Sequence, residues 1–347
     1  MSSTYKKNED EKAIEKMRIV VSRLPEYCKA YFNSKNYSLK AKTRLGYAQD
    51  IEIFFYFLKL NNPLYVDKNI RDIPFECLRN LTAFDVEEFL SFVESYDYNG
   101  RHYSNGAAGK RRKLASIREL FQYLCKIGYL SNNPASLVDT PKDSQQKIIR
   151  HLDTDEKRSL LNAIVSEDNL TPKQLEMKNL LERRDTAITT LFLGTGLRVS
   201  ELVGLDLDDI NLKFQFINVI GKGGKYRQVY FNDAIFDALD QYLTYCRPAL
   251  NPKEEETAFF LSRRGTRLGV RSVEYLMNKL STRSLGAGNA IHPHDLRSTY
   301  GTDLYAATGD IGLVQDSLGH ADISTTKKHY AAQNIENMKR NKNFSIF

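Results

Sequence analysis

Almost every ordered stretch of this chain has helical spacing, and only one short stretch reads as strand. Residues 12–36 form a charged segment carrying Ile19, Val20, Leu24, Tyr27, Tyr31 and Phe32, which predicts an amphipathic helix. A second helix is predicted over 40–61, with Leu45, Tyr47, Ile51, Phe54, Phe55 and Leu58 near helical spacing and Asn61, Asn62 and Pro63 as its stop. Thr82 can cap a third over 82–96, where Val86, Phe89, Leu90 and Val93 make the apolar stripe. Residues 96–106 read as a loop from their Gly and Asn content, and 107–127 as a fourth helix carrying Leu114, Ile117, Leu120, Phe121 and Leu124. The aromatic run Phe54–Phe57 has the wrong period for one exposed face and reads as core. Together these predict an all-helical domain over 1–130. The proline-bearing, weakly apolar stretch that follows predicts a linker over 131–150. Residues 151–347 are again mostly helical, and the single strand island is INVIGKGGKYRQVYF (217–231). Two β-branched or aromatic runs flank its Gly-Lys-Gly-Gly, a hairpin signal. The expected fold class is mainly α with a small β-hairpin or sheet.

Composition narrows the function. No run reaches the ~18 apolar residues of a membrane-spanning helix, and the polar start MSSTYKKNEDEK lacks the apolar core of a signal peptide. The four cysteines are far apart and form no C-x-x-C pair, against a zinc site or a disulfide framework and for a reducing, cytoplasmic setting. The net charge is +7. Residues 1–147 hold 24 Lys and Arg against 18 Asp and Glu, while the other 200 hold 26 against 25. The positive excess therefore belongs to the N-terminal part, the sign expected for a nucleic-acid partner.

The C-terminal part carries a scattered set of cations, imidazoles and one late tyrosine. GTGLR (194–198) lacks the spacing of a phosphate loop, GKGGK sits in a hairpin rather than before a helix, and no acidic cluster resembles a two-metal nuclease site. What remains is Arg198 opening a helix after a Gly turn, Lys222 in the hairpin, His294 and Arg297 three apart on one helix face, and His320 followed ten residues later by Tyr330. These types suit phosphoryl transfer with no metal and no cofactor. Two guanidiniums can clamp the negative non-bridging oxygens with planar donors. A tyrosine hydroxyl can attack in line if a base takes its proton, and a lysine can protonate the leaving oxygen.

The motifs TGLRVSEL, GKGGK, H-x-L-R and LGH…Y, in that order, resemble the tyrosine site-specific recombinase (integrase) family over about the last 200 residues. The first half resembles the family's helical, SAM-like core-binding domain. The overall plan looks Xer-like, and RLPEYCKAYFNSK resembles the XerS branch. The resemblance implies that Arg198 and Arg297 bind the scissile phosphate and that His320 donates to a non-bridging oxygen. It further implies that His294 is the acid/base partner of Tyr330, that Lys222 protonates the 5′-oxygen, and that Tyr330 forms a 3′-phosphotyrosyl link. Glu201, one turn beyond Arg198, is expected to orient that arginine. Ser298 stands where the family often has His, and the ten-residue gap before Tyr330 resembles integrases of Gram-positive mobile elements.

Each residue alone has an ordinary structural reading: a lone His is usually a satisfied structural group, and Arg198 could simply pair with Glu201. The ordered set, with its spacings 198 to 222 and 297 to 320, is what makes one site of them. Two basic groups, Lys110–Arg111–Arg112–Lys113 and Arg263, Arg264, Arg267, Arg271, read either as solvated faces or as DNA contacts. The resemblance implies a partner of double-stranded DNA with paired half-sites, bound by a homodimer and recombined in a homotetramer through a Holliday junction, with any accessory protein unspecified. It also implies a tail after Tyr330 that docks on a neighbouring protomer. A Xer-like role in chromosome dimer resolution is expected. Integration or excision of a mobile element or phage, a type IB topoisomerase and a non-catalytic DNA-binding module stay open as alternatives.

Overall fold

A computed structural model describes residues 4–142, 150–168, 170–221, 224 and 226–319. They fall into two compact units that divide between residues 147 and 148.

In the first unit the segment expected as one helix is two, α1 (Thr4–Ser22) and α2 (Tyr27–Ser34). Pro25 lies at the break: it has no N–H to donate and its ring disfavours helical geometry at Leu24. α3 (Ala41–Asn61) packs against α1 and against α6 (Ala107–Lys126), with the short α4 (Glu76–Arg79) and α5 (Ala83–Phe92) beside them. The Thr82 hydroxyl accepts the Asp85 N–H and the Asp85 carboxylate accepts the Thr82 N–H, so the expected cap closes as a reciprocal box. The aromatic run is core: Phe54, Phe55 and Phe57 are buried, and the Phe54 ring meets Phe89 and Phe121 edge-on at 5.1 and 6.1 Å. Burying each such ring contributes about 1.5–3 kcal/mol.

The stretch 96–106, expected as a loop, is mostly a hairpin of β1 (Ser95–Tyr98) and β2 (Arg101–Ser104). Asn99 and Gly100 have φ of 50° and 71°, the left-handed pair that a two-residue turn requires. Tyr96 and Tyr103 face each other in register and stack at 5.4 Å. The strands contain no aliphatic residue, so no hydrophobic alternation announced them. The start of the expected linker packs on this unit: Arg118 donates to the carbonyls of Ala135 and Val138 and to the Thr140 hydroxyl, and Ala135 and Val138 are buried.

The second unit is built around α8 (Pro172–Thr195), whose Thr171 cap and first-turn Pro172 fix its start. α7 (Thr154–Val165) packs on it, and α9 (Val199–Val203) follows after a tight turn. Strands β3 (Ile210–Asn211), β4 (Phe216–Ile220) and β5 (Tyr226–Tyr230) form an antiparallel sheet in that order. Its inner face buries Ile217, Val219 and Val229. α10 (Asp233–Gln241) packs on α8 and runs through a wide turn at Tyr242–Cys246 into α11 (Arg247–Ala249). α12 (Val270–Leu285) packs on α7, α13 (Pro293–Thr308) packs on α8, and α14 (Ile311–Leu318) closes against α13.

Candidate active site

α8 ends at Gly196, whose φ of 59° is left-handed. A Cβ there would lie 2.5 Å from the Tyr300 ring and 2.9 Å from Leu318, so both backbone and space demand glycine. Two residues on, Arg198 caps α9, and the Glu201 carboxylate takes its backbone N–H at 2.9 Å and its Nη1 at 2.8 Å. The three-residue spacing that suggested this pair is the spacing of a helix cap reaching its own first turn. Arg198 Nη2 also donates to the carbonyl of Gly319 at 3.2 Å.

Arg297 arrives from α13 and is 3% exposed, while the Arg198 side chain is 31% exposed. Its Nη1 donates to the Gly196 carbonyl at 2.7 Å and lies 4.0 Å from Glu201 Oε2, and its Nη2 donates to the Leu318 carbonyl. His294 is one turn earlier on α13 and is itself exposed, between buried Pro293 and Leu296. The ends of α8 and α14, the start of α9 and the side of α13 thus converge on two guanidiniums.

Arg227, which the sequence reading passed over, completes the cluster. It stands on β5 opposite Val219, with the same inward parity as buried Val229. Its two Nη atoms grip Glu201 at 3.0 and 2.9 Å. A cation at an inward position of a strand was the available signal. Burial works against ionising Glu201, but the Arg227 fork and Arg198 outweigh it and hold the carboxyl below its ordinary range. Lys222, which falls between β4 and β5 in the sequence, and His320 and Tyr330 lie outside the described residues. Among the described residues no three His, Cys, Asp or Glu side chains gather as metal ligands would.

The two basic groups have unequal geometry. On α6, Lys113 is 4% exposed and sits 3.2 Å from Asp50, which also receives Arg112 at 2.7 Å and the Ser116 hydroxyl at 3.3 Å. Lys110 pairs with Glu94, and Arg111 donates to the Pro141 carbonyl at 3.1 Å. Lys113 therefore acts inside the unit, since its ammonium is enclosed by α3 and α6. In the second group Arg267 is likewise turned inward: it donates to the carbonyls of Val203 and Leu205 at 3.0 Å each and pairs with Asp206. Arg263, Arg264 and Arg271 are exposed and, with Tyr275 and Lys279, line an open hollow of about 630 Å³ at the start of α12.

Residues 151–337 match the phage integrase family. The chain is 36% identical over 290 residues to tyrosine recombinase XerC of Caldanaerobacter subterraneus subsp. tengcongensis, covering 81% of this chain and 75% of that protein. It is 35% identical over 250 residues to tyrosine recombinase XerC of Pseudomonas aeruginosa, covering 72% and 76%. Among solved structures the fold resembles XerH bound to palindromic difH substrate in a post-cleavage complex, with a TM-score of 0.66 at 20% identity over 91% of this chain and 83% of that one. It also resembles the Tn1549 transposon integrase in complex with circular intermediate DNA, with a TM-score of 0.62 at 17% identity over 89% and 98%. On the family match and these identities, the chain belongs to the phage integrase family and is a Xer-like tyrosine recombinase, an enzyme that cleaves and rejoins DNA.

Proposed function

We propose that this recombinase works by a tyrosine nucleophile on paired half-sites of duplex DNA, with Arg198 and Arg297 as its phosphate clamp. The observation that carries the reading is the convergence of these two arginines beside Gly319, the residue after which the chain runs to His320 and Tyr330. The Tyr330 oxygen attacks phosphorus as His294 takes its proton. The bond from phosphorus to the 5′-oxygen breaks, and Lys222 gives that oxygen a proton. His320 and the two guanidiniums hold the non-bridging oxygens, whose negative charge grows in the transition state. The resulting 3′-phosphotyrosyl ester conserves the phosphodiester bond, so a 5′-hydroxyl from the partner strand can reverse the step with no nucleotide cofactor.

Arg263, Arg264 and Arg271 at the hollow, with Lys110, Arg111 and Arg112 on α6, are the proposed DNA contacts. One dimer occupies a site, and two dimers exchange strands through a Holliday junction in the cytoplasm. The proposed biological use is chromosome dimer resolution, of the XerS type suggested by the N-terminal segment. The ten-residue spacing from His320 to Tyr330 favours service to a mobile element instead, which flanking element genes would reveal.

The test is covalent trapping, in EDTA, on nicked duplexes taken from DNA flanking the gene. Wild type is expected to yield a protein–DNA adduct. Tyr330→Phe is expected to bind the same duplex and yield none. An adduct from Tyr330→Phe would remove Tyr330 as the nucleophile.

A further inference from the structure

Among the described residues Arg227 is a charged side chain at the site that none of the motifs singled out. We propose that Arg227 is a positioning residue for cleavage: it occupies the fork of Glu201 so that this carboxylate orients Arg198 without neutralising the clamp. The proposal rests on the reading of Arg198 and Arg297 as the phosphate clamp.

A carboxylate offers about four lone-pair sites. In Glu201 the four hydrogen bonds come from the Arg198 backbone N–H, Arg198 Nη1 and both Nη atoms of Arg227, at 2.8 to 3.0 Å. Arg297 Nη1, at 4.0 Å, is kept beyond hydrogen-bond reach. Arg227 thus takes the two-pronged geometry, the strongest mode of an arginine–carboxylate pair, and leaves Arg198 held by a single Nη. Without Arg227 two acceptor sites of a buried carboxylate would need new donors. The nearest are on Arg198 and Arg297. Either re-pairing turns a clamping guanidinium toward Glu201 and cancels its charge. Among the described residues three guanidiniums against one carboxylate leave a surplus for an anionic substrate, and two against one leave half of it.

The same ion pair fastens the hairpin to the site. Arg227 stands on β5, so it ties that strand to the carboxylate that orients Arg198. The chain leaving α14 passes over it: a Cβ at Gly319, whose φ is 62°, would lie 3.0 Å from Arg227 Nη1. Acid, strand and exit segment therefore share one guanidinium.

The experiment measures site binding and the rate of covalent adduct formation on the nicked duplex, for full-length wild type, Arg227→Gln, Arg227→Lys, Glu201→Gln and the double variant Glu201→Gln/Arg227→Gln. Arg227→Gln is expected to bind within about threefold of wild type and to form adduct about 30-fold or more slowly, since the loss falls on positioning. Arg227→Lys keeps the charge and loses the fork, and is expected to recover about a third or less of the wild-type rate. The double variant is expected to match Glu201→Gln within about twofold, because Arg227 acts through Glu201. Wild-type rates in Arg227→Gln, or losses that multiply in the double variant, overturn the proposal. Equal losses of binding and rate in both Arg227→Gln and Arg227→Lys mark a purely structural residue and overturn it as well. Absence of adduct from wild type overturns the underlying reading of the clamp, an outcome distinct from an active wild type with an equally active Arg227→Gln.

Discussion

At Gly196 one residue sets the placement of another. Its left-handed backbone ends α8, and its carbonyl receives Arg297 Nη1 at 2.7 Å. An alanine there carries the backbone penalty of about 1–2 kcal/mol and drives a methyl into Tyr300 and Leu318. Gly196→Ala is expected to lower the rate of adduct formation about 100-fold, as small misplacements of catalytic groups do, with DNA binding nearly intact. A titration of binding alongside trapping checks it, and an unchanged rate would detach Gly196 from the clamp. The Arg198–Glu201 pair was legible because both partners lie within one turn. Arg227 was harder to read, because its partner is 26 residues away and only its alternation with Val229 along the strand island marked it as inward.

At the scale of elements, α6 shows how a charge run can mislead. Lys113 lies four, seven and eleven residues before Ile117, Leu120 and Leu124, so it stands on the apolar stripe and not on the basic face. Asp50, four and eight residues before Phe54 and Leu58, stands on the matching stripe of α3. Two charges on two inward stripes were therefore readable as a pair. The pair is removed from water, with side-chain exposures of 5% and 1%, and burial outweighs Lys113 and Arg112 to raise the Asp50 carboxyl above its ordinary range. Breaking such a pair from one side is expensive, and Lys113→Met is expected to cost about 3 kcal/mol. Denaturant unfolding of the full chain checks the loss. The double variant Asp50→Leu/Lys113→Met is expected to regain part of it, and no recovery would show that packing, not charge, decides this site. The β1–β2 hairpin was hidden for a different reason: its alternation is polar and aromatic, and only Asn99–Gly100 gave the turn away.

Over the whole molecule, the helical units and the strand island were plain from periodicity. The +7 surplus was a weaker guide, because a net charge does not say which cations face outward, and Lys113 and Arg267 are paired inside the fold with Asp50 and Asp206. Arg263, Arg264 and Arg271 are exposed at the hollow, beside Lys279, and are the proposed phosphate contacts there. Changing all three to Gln is expected to flatten the log–log salt dependence of DNA binding by roughly 0.9 for each phosphate no longer neutralised. Binding measured from low to moderate salt checks this, and an unchanged slope would place the DNA elsewhere. At the site itself, Arg297 and Arg198 donate to the consecutive carbonyls of Leu318 and Gly319. A phosphate drawn to those guanidiniums competes for the same N–H groups. Reciprocity then fixes the sign of the exchange: by whatever factor the seated backbone weakens the hold on phosphate, phosphate loosens that backbone in equal measure. On the proposed clamp, substrate and the backbone of Leu318–Gly319 are rival ligands of one pair of side chains.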